Sequence, residues 1–359
     1  MSLFCNTSLA IKRKDDNMIF PAFLKAGDTI GVTAPSAGVS KPADINRFNN
    51  AKKKLEERGY KVIFTKNVFS DDGHGRSTDA ITRSKEFMEL IENPQVKYIC
   101  SAKGGDFLME ILPYLDYEKI SKNPKWIQGF SDNTSLTLGI STKCNIATVY
   151  GNNFGDFGME EYHQSVEENL EILEGRLVTQ KSYPMYEDGF YDRVTGVEGY
   201  TLTKPVSLKL YNGNDVDGAR FSGRAIGGCL DVITDILGTP FEAVKKFVDE
   251  NKEEGIIWYI ESFLNNSEGV VRNMWKMKQL GWFENTKGIL FGRELMYERF
   301  SDTDFDAACM SVLKELNIPV IFGCDIGHKA PQFSMINGAG YEVEFCNQGN
   351  GQLKLEIKY

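Results

Sequence analysis

The chain reads as an α/β protein. A mostly parallel, flavodoxin-like N-terminal sheet with helices on both faces is followed by a smaller C-terminal α+β domain. Three observations carry this expectation. Short apolar runs alternate with amphipathic runs of helical length between residues 28 and 150, the pattern of successive βα units. The tail alternates apolar and polar residues over 341–345 and 353–358, as a half-exposed antiparallel pair does. At 359 residues the chain exceeds one small core, and two domains follow from its length.

Taken in order, Asp28–Ala34 is a buried strand ending at the turn Pro35-Ser36-Ala37-Gly38. A charged helix over 46–58 stops at Gly59, and Tyr60–Phe64 is the next strand. After the polar loop 70–77 comes a helix over 80–92, closed by Asn93-Pro94. Val96–Ser101 is a third strand, running into Lys103-Gly104-Gly105-Asp106, and 107–115 is helical. Trp126–Phe130 is a fourth strand, 133–144 a helix and Ala147–Tyr150 a fifth strand. Short connections between strands and helices imply a parallel sheet covered on both faces. The pattern fades over 151–215, where a helix near 159–174 precedes a Tyr-, Gly- and Asp-rich stretch with room for a hairpin. Order returns with 219–228, a helix over 230–237, the strand 255–260 running into Glu261-Ser262, and a helix over 267–280. A strand at 288–291, a helix at 304–315 and a strand at 319–322 follow. The divisions expected are a poorly ordered leader at 1–17, an N-terminal α/β domain at 18–155, a connecting region at 156–215 and a C-terminal domain at 216–359.

Composition narrows the function. A net charge of −9 argues against nucleic acid or an anionic membrane as partner. Seven scattered cysteines without a CxxC suit reduced thiols better than a disulfide framework or a zinc site. No apolar run approaches the roughly 20 residues that span a bilayer, and the first residues do not form a signal peptide. The expected location is cytoplasmic, and nothing in the chain calls for a metal or an organic cofactor.

Ligands of parallel sheets bind beyond the carboxyl ends of the strands. Pro35-Ser36, Gly104-Gly105 and Ser131 each follow a strand end, so all three are expected on one rim. Ser131 lies in Gly129-Phe130-Ser131-Asp132-Asn133-Thr134, on the corner between a strand and a helix. Such a corner lifts the hydroxyl above a helix N-terminus. Two roles fit it, acyl-transfer nucleophile and helix N-cap. A nucleophilic hydroxyl needs a base, and a histidine base needs a group that holds its tautomer. The chain has three histidines. His163 lies in a polar, solvated helix and His74 in an exposed loop. His328 follows a strand through a glycine-flanked loop and is the candidate base, with a plain loop histidine as the alternative. Glu261 ends the most apolar strand of the second half, where a carboxylate is unfavourable unless paired. An imidazolium, Arg272 and Arg293 are the partners in view. The order Ser…Glu…His occurs in hydrolases and spans the two domains, placing the cleft between them.

With these residues in view, the chain resembles the LD-carboxypeptidase family of serine peptidases, which includes murein tetrapeptide carboxypeptidases and microcin-immunity peptidases. The matching stretches run from Gly27-Asp28-Thr29-Ile30-Gly31-Val32-Thr33-Ala34-Pro35-Ser36 through Gly104-Gly105, Leu112-Pro113-Tyr114-Leu115-Asp116-Tyr117 and Gly129–Thr134. They continue with Gly223-Arg224-Ala225-Ile226-Gly227-Gly228, Ile260-Glu261-Ser262 and Gly327-His328, in family order over 25–345. The resemblance implies Ser131 as nucleophile, His328 as base and Glu261 as its orienter. It also implies an oxyanion hole from the backbone N–H groups of Gly105 and Asp132. Gly104, Ser36 and Gly228 are the candidate substrate-binding positions. Two departures stand out. Asn133 replaces the second glycine of a G-x-S-x-G elbow, and Met335-Ile336-Asn337-Gly338 stands where the family usually has a Leu-Pro-Ile-Gly-like segment.

The expected activity is therefore serine-type hydrolysis of an L,D-amide bond at the C-terminus of murein-derived peptides. The first alternative is the same chemistry on peptidyl- or aminoacyl-nucleotide antibiotics. The second is a non-catalytic two-domain protein that closes on a peptide, with Ser131 as a cap. The resemblance also implies a homodimer.

Overall fold

A computed structural model describes residues 18–213, 218–299 and 301–359. The expected leader at 1–17 and the boundary expected between 215 and 216 lie outside the described residues. The first half alternates as the pattern requires. Strand β1 (Thr29–Thr33) leads to α1 (Pro42–Glu57), β2 (Lys61–Phe64), α2 (Ala80–Glu92) and β3 (Val96–Ser101). A 3-10 stretch over Leu108–Tyr114 and α3 (Tyr117–Lys122) precede β4 (Trp126–Gln128), and α4 (Thr134–Cys144) leads to β5 (Thr148–Tyr150). These strands pair in parallel in the order 2-1-3-4-5. All five residues of β1 are buried, as expected of a central strand covered on both faces.

Local chemistry explains the helix limits. Proline stands at the first turn of α1, where its missing N–H is no loss, and Phe48, Ala51 and Leu55 form its buried face. Asp79 caps α2 by accepting from Thr82 N at 3.0 Å. The stretch expected as a helix at 107–115 is 3-10 instead, with Pro113 inside it. Helix α4 behaves differently from α1. It is buried on nearly every residue from Thr134 to Cys144, so its small and polar side chains face other elements rather than water.

Helix α5 (Gln164–Leu173) opens the region expected as a connection. That region supplies β6 (Thr179–Lys181), the two-stranded ribbon of β7 (Met185–Tyr186) and β8 (Lys204–Pro205), and β9 (Lys209–Tyr211). The second half continues with β10 (Gly218–Cys229), α6 (Leu230–Ile236), α7 (Val244–Glu250), β11 (Ile256–Glu261), α8 (Ser267–Gln279), β12 (Thr286–Gly292), α9 (Phe305–Leu313) and β13 (Val320–Cys324). It ends with β14 (Met335–Asn337), β15 (Gly340–Cys346) and β16 (Gln352–Lys358). Among the described residues, eight strands form a second sheet in the order 6-16-15-10-11-12-13-9. Its four central strands, β10 to β13, are parallel, and β6, β9, β15 and β16 flank them antiparallel. The tail therefore pairs as its alternation predicts. Trp258 and Trp282 stack in the core at 6.0 Å, and Met274 and Met277 of α8 are buried, while Trp275 is exposed.

Strand β14 joins the two halves. It leaves the second half and pairs antiparallel with β5 at the edge of the first sheet. Its Asn337 is fully buried, and Oδ1 accepts from Tyr259 OH at 2.6 Å and from Gly227 N at 3.1 Å. Nδ2 donates to Thr148 Oγ1 of the first sheet at 3.3 Å. Replacing Asn337 by Ala leaves a phenol and a backbone N–H unpaired in the core. The expected loss is about 2–4 kcal/mol in chemical denaturation. A loss below about 0.5 kcal/mol, the size of an ordinary surface substitution, contradicts this bridging role.

Candidate active site

The corner at Ser131 is built from its neighbours. The chain is extended at Phe130, and Ser131 then takes the left-handed region at φ 65° before a 3-10 turn runs into α4. A non-glycine residue there is strained and must be held by its surroundings. Asn133, at the position where an elbow has its second glycine, supplies part of that hold. Its amide donates to Phe130 O at 3.0 Å, to Lys103 O at 3.2 Å and to Asn153 Oδ1 at 3.2 Å. Thr134 Oγ1 donates to Ser131 O at 2.7 Å. Ser131 N–H donates to Tyr150 OH at 3.2 Å. The Ser131 side chain makes no capping bond to the helix.

The Ser131 hydroxyl meets His328 Nε2 at 2.9 Å, and His328 Nδ1 meets Glu261 Oε2 at 2.9 Å. With Nδ1–H given to the carboxylate, Nε2 presents its lone pair to the hydroxyl. The imidazole is held on both sides, stacked on Phe263 with ring centroids 4.5 Å apart and edge-on to Phe130 at 5.2 Å. Its loop is fixed from beneath by a buried ion pair. Arg293 Nη1 lies 2.8 Å from Asp325 Oδ1, and Nη2 donates to Lys329 O at 2.7 Å. Arg293, one of the partners in view for Glu261, is thus engaged elsewhere. Gly327, at φ +93°, explains the Gly-His pair: a β-carbon there would overlap the Glu261 side chain.

Glu261 ends β11 and is fully buried. Oε1 accepts from Tyr150 OH at 2.6 Å. Burial pushes its carboxyl up, and the His328 imidazole, the Tyr150 hydroxyl and Cys229 outweigh burial and leave it below the ordinary carboxylate range.

Gly104 and Gly105 pass directly over the corner. A β-carbon on Gly104 would sit 3.0 Å from Ser131 Cβ and 3.1 Å from Oγ, so only glycine lets the loop come this close. Among the described residues, the amides of Gly105 and Asp132 have no protein acceptor. The Asp132 side chain turns inward, where Oδ2 accepts from Ser36 Oγ and from Leu108 N, the latter at 2.9 Å.

A cleft of about 490 Å³ opens over Ser131 and His328. Gly104, Gly105, Phe130 and Phe263 line it, and its wall carries both signs of charge, Lys103 and Arg193 with Asp106 and Asp156. Two expected binding positions lie elsewhere. Ser36 is fully buried beneath the rim because its hydroxyl serves Asp132, and Gly228 is packed on Thr134, where a β-carbon would overlap the threonine. His163 is not in a solvated helix. It stands just before α5, accepts from Ser165 N at 3.1 Å and packs against Tyr183 and Tyr200. His74 is exposed, as its loop suggested. Tyr150 entered the sequence reading only as the end of a strand and Phe263 not at all, because each reads as an ordinary apolar position. Among the described residues, no group of three or more His, Cys, Asp or Glu side chains is arranged to hold a metal ion, and no helix is long and apolar enough to cross a membrane.

Burial raises the Asp132 carboxyl above the ordinary range, against the opposing bonds from Ser36 and Leu108. Its folded-state pKa thus exceeds the unfolded one, and stability is lost as pH rises through that interval. Asp132→Asn removes that loss. The thermal midpoint of the variant relative to wild type is expected to be higher at about pH 7 than at about pH 4. Equal differences at the two pH values contradict the shift.

Comparison with known proteins places the chain in a family. The model of the LD-carboxypeptidase N-terminal domain matches residues 30–151, and that of the C-terminal domain matches 222–343. The microcin C7 self-immunity protein MccF of Escherichia coli is 29% identical over 92% of this chain and 94% of its own. A Bacillus subtilis protein named as a murein peptide carboxypeptidase is 25% identical over 89% of each chain. Solved structures of MccF, among them a complex with aspartyl sulfamoyl adenosine, superpose with a TM-score of 0.75 at 28% identity, over 94% of this chain and 98% of that one. The muramoyltetrapeptide carboxypeptidase of Oxalobacter formigenes shares the fold, with a TM-score of 0.69 at 21% identity over 92% of this chain and 99% of its own. The chain belongs to the LD-carboxypeptidase family and is a serine-type carboxypeptidase.

Proposed function

We propose that Ser131, His328 and Glu261 act as a catalytic triad on an amide between an L-centre and a terminal D-residue in murein-derived peptides. The observation that carries this reading is the pair of 2.9 Å contacts that join Ser131 Oγ to His328 and His328 to a buried carboxylate. His328 Nε2 takes the hydroxyl proton as Oγ attacks the scissile carbonyl carbon. The amides of Gly105 and Asp132 receive the developing oxyanion, and Glu261 stabilises the imidazolium. The imidazolium then gives its proton to the departing amine. Water, deprotonated by the same nitrogen, attacks the acyl-enzyme, and Oγ leaves with the proton. Lys103 and Arg193 in the cleft wall suit a substrate that carries a free carboxylate. No cofactor enters these steps, and the reading carries with it a cytoplasmic homodimer.

A second reading keeps the same chemistry on a peptidyl- or aminoacyl-nucleotide. It is favoured by Phe190, which is 62% exposed, lines the cleft and lies 6.0 Å from Phe263, offering an aromatic face to a nucleobase. MccF, whose structures hold such aminoacyl nucleoside analogues, is similarly close in sequence. Release of D-alanine from a murein tetrapeptide, without action on peptidyl-adenylates, decides for the first reading, and the reverse result for the second.

Ser131→Ala should lower kcat by about 10⁴–10⁶ with folding intact, and His328→Ala similarly, while Glu261→Ala should be milder. A non-catalytic peptide binder instead predicts no hydrolysis by wild type and peptide affinity unchanged by Ser131→Ala. Gly105→Ala, whose β-carbon would overlap Ser36 Oγ, should displace one oxyanion donor and lower kcat about 10²–10³-fold. Hydrolysis that persists in Ser131→Ala defeats the assignment.

A further inference from the structure

Tyr150 belongs to none of the three roles above, yet it touches two of the residues that fill them. It ends β5, is fully buried, and its hydroxyl lies between the backbone of Ser131 and the carboxylate of Glu261. The oxygen accepts from Ser131 N–H at 3.2 Å, and the hydrogen goes to Glu261 Oε1 at 2.6 Å. The other carboxylate oxygen takes His328 Nδ1, and His328 Nε2 meets Ser131 Oγ. The four residues therefore close a ring of hydrogen bonds that leaves Ser131 at its nitrogen and returns to it at its hydroxyl.

Two consequences follow from this geometry. The nucleophile's own N–H, an oxyanion donor in some serine hydrolases, is turned into the protein and occupied by the phenol. An oxyanion above Ser131 must draw on other amides, and those of Asp132 and Gly105 have no protein acceptor among the described residues. The same bond restrains the backbone of Ser131 at φ 65°, a conformation that a serine does not hold unaided. At its other end the phenol supplies one of the donors without which a buried carboxylate is unstable as an anion.

We propose that Tyr150 is a positioning residue of this site, holding the Ser131 corner through its N–H and keeping Glu261 oriented and anionic toward His328. The proposal rests on the triad reading and deepens it. The groups that face Glu261 are Tyr150 from β5, His328 from the loop after β13, and Cys229 from the end of β10, with Asp231 beside that cysteine. Burial pushes the Tyr150 phenol well up, so it remains a neutral donor throughout the working range. Loss of a donor to the anion raises the affinity of the Glu261–His328 pair for its first proton, wherever in the pair that proton settles.

The test is a titration of Tyr150→Phe beside wild type. With only three histidines in the chain, the ring of His328 can be followed by NMR in histidine-labelled protein. The first protonation of the Glu261–His328 pair is expected about one pH unit higher in Tyr150→Phe, the effect of losing a hydrogen bond to a charged group. In a Glu261→Gln background the same substitution should move the His328 titration little. Turnover of a cleaved amide should fall about tenfold or more in kcat with KM nearly unchanged. Installing 3-fluorotyrosine at position 150, a stronger donor of nearly the same shape, should move the titration the other way and serves if Tyr150→Phe folds poorly. An unchanged titration in both variants, or the same shift with and without Glu261, overturns the proposal. Because the titration needs no substrate, a chain that hydrolyses nothing yet shows the shift would refute the proposed activity and leave the ring intact.

Discussion

A carboxylate with no exposed surface, placed where two halves of the chain meet, is the constraint around which this molecule is arranged. Glu261 stands at the end of the most apolar strand of the second sheet. An uncompensated anion there would be strongly destabilising. It is tolerated because it is served from both sides, by Tyr150 at the end of a strand in the first sheet and by His328 on a loop of the second. The first half thus supplies, through Tyr150, a donor that the carboxylate of the second half requires, and the second half returns His328 to Ser131 of the first. The chemistry of the cleft and the docking of the halves are the same interaction seen from two directions.

The surroundings share that character. Helix α4, which begins at the nucleophile corner, is buried almost throughout and is rich in Ser and Thr rather than Leu. Polar side chains bond across the junction: Thr134 Oγ1 of α4 accepts from Cys229 N at 3.0 Å, and Asn337 reaches from β14 to Thr148 of β5. Satisfied polar contacts of this kind fix one geometry, where an apolar interface tolerates sliding. A mechanism that relies on a 2.9 Å contact between residues of different halves needs that fixity, since a misplacement near 1 Å can lower a rate about a hundredfold.

Much of this was legible in the chain, and what was not has identifiable causes. The five parallel strands of the first half show themselves as apolar runs, the first three separated by the amphipathic helices α1 and α2. Ser131 is conspicuous because a serine between a strand end and a helix start is geometrically unusual. His328 stands out because histidines are few. The short strands β6, β9 and β14 have three residues each, too few for a period, and the region that carries β6 and β9 reads only as a connection. Ser36 shows the limit of arguments from strand ends. Position after a strand places a residue near the rim but does not say which way its side chain points, and the Ser36 hydroxyl points into the protein. Tyr150 could not be foreseen, since a tyrosine closing an apolar strand looks the same whether its hydroxyl serves the core or a catalytic carboxylate. The stretch Met335–Gly338, which departs from the family's usual residues, has a structural reason here, because Asn337 is the residue that ties the two sheets together.

If Ser131 is the nucleophile it forms a covalent acyl intermediate, and rapid quenching followed by mass spectrometry of the digested protein reads it directly. The expected result is an added mass equal to the acyl part of the cleaved amide, on the peptide that contains Ser131, appearing with a burst of amine release and lost on deacylation. Turnover that proceeds with no adduct at any time, or with an adduct on another residue, would contradict it.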